Sequence, residues 1–257
     1  NDSFNCFVTV QTKEQLYCLK NYPFVEAIGV PRYLFTEAKK VYNGRVFIYL
    51  PPVLRYEYSD INIDTDADGV IAASFDELGL LENIGFPKDK IILDHRLYTL
   101  NNRSIIGFSS LGFHENCIPY EMSLKELRHR INEDSQLIIY SRIPMMVTAN
   151  CIVKNTSGCN KADKYIKITD RKNENFTAVC DCTYCYNTIY NSKKYIAFDL
   201  KDEILSLNVK TLRLDFSIEN AIETEEILEM YDSVFNKNED FRFNGDFTRG
   251  HLKRGVE

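Results

Sequence analysis

A chain of 257 residues, 44% hydrophobic and 26% charged, can bury one large core or two medium ones, and it holds no apolar run of membrane-spanning length. Its 31 Lys and Arg against 37 Asp and Glu leave a formal charge of −6, which speaks against a broad basic nucleic-acid surface but not against a local basic patch. Four histidines are too few to make a histidine-built metal centre the first expectation.

Short apolar runs alternate with capped amphipathic segments along most of the chain. Cys6–Val10 reads as a strand, and Thr12 with Gln15 forms a capping box that opens a helix to about Lys20. Ala27–Val30 is a second strand, leading into a helix with Leu34, Ala38 and Val41 on one face and a stop at Asn43-Gly44. Val46–Leu50 is a third strand, closed by Pro51-Pro52. Gly69–Ala72 is a fourth, with Ser74 and Glu77 capping a helix to about Ile84. Lys90–Leu93 is a fifth strand and runs into Asp94-His95. Asn116–Tyr120 is a sixth, followed by a capping box at Ser123 and Glu126 and a helix to about Asn132, with Arg128, His129 and Arg130 on its solvated face. Gln136–Tyr140 is a seventh, Thr211–Leu214 an eighth, and a helix spans about Thr224 to Phe235. About eight such βα units in this length favour a closed (β/α)8, TIM-like barrel over an open sheet. Segment 54–68 is polar, acidic and without period, and fits the pattern poorly.

A barrel places its chemistry at the C-terminal ends of the strands. Asp94, His95, Glu121 and the loop carrying Arg55 would share that face. So would an insertion of about residues 141–200 that leaves the barrel after the seventh strand, and the tail of residues 236–257 if it folds back. Asp94, His95 and Glu121 are therefore candidate catalytic groups, read otherwise as helix-capping residues. In the tail, Arg249 and Arg254 beside glycines suit anion binding and His251 suits proton transfer; a flexible basic tail is the alternative.

Five of the eight cysteines fall in the insertion: Cys151, Cys159 and the knot Cys180-Asp181-Cys182-Thr183-Tyr184-Cys185. A C-x-x-C pair facing two further cysteines is the spacing of a tetrathiolate site. Disulfides and unrelated thiols are the other readings, although nothing at the N-terminus looks like a signal peptide, so a reducing, cytoplasmic setting is expected. Cys6, Cys18 and Cys117 sit among apolar neighbours and read as buried hydrophobes. His114 and His129 read as inert. No nucleophile elbow, phosphate-binding glycine loop, dinucleotide fingerprint or zincin motif is present, and the cysteine knot holds no histidine to activate a thiol.

The runs YEMSLKELRHRI, QLIIYSRIPMMVTANCIVK with its following Gly-Cys, DRKNENFTAVCDCTYCYNTIYNS, LRLDFS and the closing FTRGHLKRGVE resemble the collagenase-like peptidases, family U-thirty-two, from about residue 90 onward. The chain looks most like the C-terminal part of a long bacterial member. The resemblance implies a four-iron four-sulfur cluster on four cysteines, and action in RNA hydroxylation that depends on the anionic co-substrate prephenate. Peptide hydrolysis, as in the family name, is the second implication, and a non-catalytic module stapled by zinc is the third reading. Carried over by position, Cys151, Cys159 and Cys182 match cluster ligands. The chain departs from the family at Pro144-Met145-Met146, where members often carry a cysteine; Cys185, or else Cys180, must then be the fourth ligand. Zinc on the same thiolates is an alternative to the cluster. Arg142, Arg249 and Arg254 would bind the co-substrate, with His251 beside them.

Overall fold

A computed structural model describes residues 4–53, 63–64, 66–159, 161, 165–182 and 184–255. Arg55 and most of segment 54–68 lie outside the described residues. The first seven strands are β1 (Asn5–Thr9), β2 (Val25–Pro31), β3 (Arg45–Tyr49), β4 (Gly69–Ala72), β5 (Ile91–Leu93), β6 (Glu115–Cys117) and β7 (Ser135–Ser141). Each pairs in parallel with the next, and the strand at Thr211–Asp215 pairs in parallel with both β7 and β1, which closes an eight-stranded barrel. The expected (β/α) barrel is therefore the architecture found.

The closure follows from side-chain alternation. On β1, Cys6 and Val8 point outward into the large core shared with the helices, while Phe7 points inward. Phe7, Ala27, Phe47, Ile71 and Ile92 fill the barrel interior as one apolar layer. Gly29 leaves room for that layer, since a Cβ there would stand 2.8 Å from Ile71 Cδ1.

The helices are α1 (Lys13–Cys18), α2 (Arg32–Val41), α3 (Phe75–Asn83), α4 (Asn102–Ser110) and α5 (Leu124–Leu127) around the first six strands. The capping boxes at Thr12 and Ser123 form as read. Two expectations need correction. No helix was expected at 102–110, because α4 buries none of its residues and so shows no core stripe. The helix expected through Asn132 ends at Leu127. Arg130 explains this: it is 7% exposed, not solvated, and its guanidinium donates to the Thr99 carbonyl at 2.9 Å and to Asn116 Oδ1 at 2.6 Å at the opposite end of the barrel from the insertion. Burial drops its pKa to about 10. Asn132 then donates to the Leu127 carbonyl and stops the turn.

After β7 the chain builds β8 (Pro144–Thr148), α6 (Ile152–Thr156), β9 (Tyr165–Thr169), β10 (Asn175–Asp181) and β11 (Tyr186–Tyr190). These strands make a separate antiparallel sheet in the order β8-β11-β10-β9. β12 (Lys194–Ile196) returns antiparallel to the end of β7, and α7 (Lys201–Leu205), the closing strand β13 (Thr211–Asp215) and α8 (Ala221–Tyr231) follow. The tail is docked, not loose. β14 (Phe247–Thr248) pairs with β12, and the buried Leu252 accepts a hydrogen bond from the Leu124 amide at 2.7 Å.

Glu77, at the start of α3, is fully buried, with one carboxylate oxygen accepting from the Ala73 amide and the other without a partner. Burial raises its pKa to about 7 against the ordinary 4.5, despite the Ala73 amide and Arg96. The folded state thus holds the proton more tightly, so the contribution is full below 4.5 and is lost as pH rises through 7. Glu77→Gln keeps the acceptor for Ala73 and removes the buried charge. It should stabilise the protein by about 2–3 kcal/mol at pH 8 and change little at pH 4.5; urea midpoints at the two pH values check this.

Candidate functional site

The floor of the site is a polar layer resting on the apolar one. Arg213 alternates with the outward Leu212 and Leu214, so β13 delivers its guanidinium into the barrel, 5.9 Å above the Phe7 ring. There it donates to Asp215 Oδ1 at 2.6 Å and to Asp94 Oδ1 at 3.1 Å. Thr9 also donates to Asp215, and Arg96 Nε donates to Asp94 Oδ2 at 3.0 Å. Burial alone would raise the Asp94 pKa; His95, Arg96 and Arg213 outweigh it and hold the carboxylate well below its usual range. Arg213 is likewise pushed well above its usual value: burial opposes this, but Asp215, Cys117 and Asp94 prevail.

His95 Nδ1 stands 3.1 Å from Asp94 Oδ2, close enough for an ion pair but without hydrogen-bond geometry. Its ring meets Tyr120 edge-on at 4.7 Å, and Tyr120 donates to Ser141 at 2.9 Å. The donor atoms of Asp94, His95 and Cys117 lie within 4.8 Å of one another. A cation there would compete with two guanidinium groups already on Asp94, so the trio suits a metal poorly. Nor does Cys117 suit nucleophilic attack, because it is fully buried and burial pushes its thiol far up.

Above this floor lies a cavity of about 710 Å³ at the C-terminal mouth of the barrel, walled by strand ends, the insertion sheet and the tail. Tyrosines dominate the wall: Tyr33, Tyr49, Tyr120, Tyr184, Tyr186 and Tyr190. Tyr49 donates to the Val10 carbonyl, Tyr33 to the Gln11 carbonyl, and Gln11 to Tyr190 Oη. Burial, above all, keeps Tyr49 and Tyr120 protonated far beyond the normal phenol range and lifts Tyr190 to about 12. Tyr33, Tyr49, Tyr120 and Tyr190 are thus neutral planar surfaces held by hydrogen bonds.

The insertion turns one face of its sheet to the cavity. Register aligns Val147, Thr188, Val179 and Tyr165 across the four strands, and Tyr190, Thr177 and Lys167 across three of them. Val147, Thr188, Val179 and Tyr190 all line the cavity. Cys180 and Asn187 pair on the opposite face, where Cys180 lies 2.8 Å from Asn187 Oδ1. Cys182 and Cys185 sit in the β10–β11 turn, whose Tyr184 reaches the cavity. Burial and then the neighbouring thiols Cys159 and Cys151, with Asp181 and Cys185, raise the pKa of Cys182. Burial, Cys151 and Cys182 raise that of Cys180. Cys151, Cys159 and Cys185 thus all bear on Cys182, although they come from two separate parts of the chain. Among the described residues no three cysteine sulfurs come within 4.8 Å of one another.

The other sequence candidates divide. Glu121 and His251 line the cavity, as do Asp94 and His95, and His251 Nδ1 lies 2.9 Å from the Gly255 carbonyl. Arg142 lines it too, but its fork is engaged: Nη1 donates to the Ser192 carbonyl at 2.7 Å, and Nε lies 3.7 Å from the buried Glu219. Arg249 is outside the lining, clasping Asp199 at 2.6–2.7 Å and lying over the Phe247 ring. Arg254 is exposed in the last turn, also outside the lining. Cys6, Cys18 and Cys117 are buried and His114 and His129 exposed, as read. Sequence reasoning missed Arg32, Arg96, Arg213, Asp215 and the tyrosine wall. The signal for two of them was present in Leu-Arg-Leu-Asp, where charge alternates with leucine on a barrel strand.

No helix among the described residues is long and apolar enough to cross a membrane. No family model and no curated protein matches the chain. Two solved structures are similar at a TM-score of 0.42 each. One is an uncharacterized B. cereus protein, 11% identical, with 88% of this chain covered and 65% of that one. The other is the C-terminal domain of a putative chitinase from Desulfitobacterium hafniense DCB-2, 8% identical, with 88% of this chain and 98% of that one covered. This chain spans less than two thirds of the first structure's length. At such similarity the barrel rests on its own strand pairing.

Proposed function

We propose that this is an iron–sulfur barrel protein of the cytoplasm that modifies RNA, hydroxylating a base with the help of an anionic co-substrate such as prephenate. The observation that supports the reading is Cys182, which Cys159, Cys151 and Cys185 all influence and whose turn carries Tyr184 into the tyrosine-walled cavity. The donor set is all sulfur, which fits a four-iron cluster or zinc. A cluster held by Cys151, Cys159, Cys182 and Cys185 supplies one-electron chemistry when bound.

The residues of the chain do the rest. A cavity of about 710 Å³ accommodates one unstacked base and a small organic acid. Tyr186 and Tyr190 offer the base its π-faces, as single-stranded RNA recognition requires. Arg32 lines the cavity rim, is exposed, and has no ion pair among the described residues, so it replaces the engaged Arg142 and Arg249, and Arg254 outside the lining, as the best seat for a carboxylate. Asp94 stays anionic beside His95 and lets that imidazole hold or release a proton at the mouth. Hydrolysis of peptides finds its nearest support in Asp94, His95 and Cys117, and the buried, protonated thiol argues against it.

Nucleoside mass spectrometry of RNA from cells lacking the gene tests the reading. One nucleoside should lose an oxygen atom, with restoration by the wild type but not by His95→Ala or Cys182→Ser. An unchanged nucleoside profile would overturn it.

A further inference from the structure

The cavity-facing side of the insertion sheet continues past the cavity. From Tyr190 in the wall, register leads through Thr177 to Lys167 on β9, the outermost strand, about 10 Å away at two strand spacings. Tyr165, two residues earlier on the same side, is 54% exposed. Arg171 and Lys172 follow in the turn after β9, and Lys154 and Lys161 lie before it. All five cations are exposed and none enters an ion pair among the described residues; Asp170 and Glu174 share the turn with Arg171 and Lys172. Residues 144–190 hold six basic and four acidic residues, a net +2 on a chain of net −6. The insertion thus carries a small positive excess on an otherwise acidic chain.

We propose that this outer edge of the insertion, with Tyr165, Lys167, Arg171 and Lys172, is the docking track for a single-stranded RNA whose target base enters the cavity. The proposal rests on the RNA reading given above. Unpaired cations beside an exposed aromatic ring are what a single strand needs: charge for the phosphates and a flat face for a base. The rest of the chain is net acidic, which favours this edge for a polyanion.

Fluorescence anisotropy with a labelled single-stranded RNA of about 12 nucleotides, a length within the usual site sizes, tests this on the whole chain. The triple variant Lys167→Gln, Arg171→Gln, Lys172→Gln should bind about tenfold or more weakly, and its log–log salt slope should fall by about 2, at roughly 0.7 per lost phosphate contact. An unchanged melting temperature serves as the folding control, since all three side chains are exposed and unpaired. RNA bound equally well by wild type and variant would overturn the track while leaving the RNA reading intact. Absence of RNA binding by the wild type would overturn both. Anionic phosphatidylserine vesicles bound in preference to RNA, with the same sensitivity to the triple change, would assign the edge to a lipid surface and overturn the proposal.

Discussion

Arg213→Ala is expected to destabilise the protein by about 3–5 kcal/mol, because it strands two carboxylates in the barrel interior. Asp94 is 1% exposed and would keep only Arg96 and the adjacent His95; Asp215 would keep only the Thr9 hydroxyl. Arg213→Lys should recover part of the loss, since an ammonium restores charge but cannot span both carboxylates as the planar fork does. Asp94, whose pKa lies well below the ordinary value, adds stability that is present above the unfolded pKa and is lost as pH falls through the folded one. Wild-type protein should therefore resist acid at values where Arg213→Ala has already unfolded. Urea unfolding at neutral pH and at pH 4 reads both effects. A neutral-pH difference under about 1 kcal/mol would mean that the network does not organise the floor of the site.

Cys182→Ser should abolish metal retention, and Cys180→Ser should not. Cys182 meets Cys159, Cys151 and Cys185 together, whereas Cys180, 2.8 Å from Asn187 Oδ1, meets only Cys151 and Cys182 among the thiols that shift it. A three-thiolate remnant holds a four-iron cluster far less firmly, so iron per chain should drop to near zero in Cys182→Ser and in Cys185→Ser. The barrel should survive in both, because its core cluster draws no residue from the β10–β11 turn. Iron analysis with circular dichroism separates loss of the centre from loss of the fold. Retention of iron by Cys185→Ser and its loss from Cys180→Ser would exchange the two ligands.

The barrel was legible because its strands are short apolar runs and its helices announce themselves with side-chain caps at Thr12, Ser74 and Ser123. The helix α4 was not, since it buries nothing, and Arg130 was misplaced because an inward arginine in a polar run has no local signature. Asp94 and His95 could be placed at the mouth from their position after β5. Arg249 looked like an anion site because arginine beside glycine is locally suggestive; only the tertiary fold shows that Asp199 already takes its fork. The tyrosine wall was invisible for the opposite reason. Its rings come from four separate stretches of chain, and nothing in any one of them marks a shared cavity.

The most direct test of the account is metal and sulfide analysis, with an absorption spectrum, on the whole chain purified without air. The account predicts a brown protein with about four irons and four sulfides per chain and broad sulfur-to-iron charge-transfer absorption. A colourless protein holding one zinc per chain, or no metal even after anaerobic reconstitution with iron and sulfide, would contradict it.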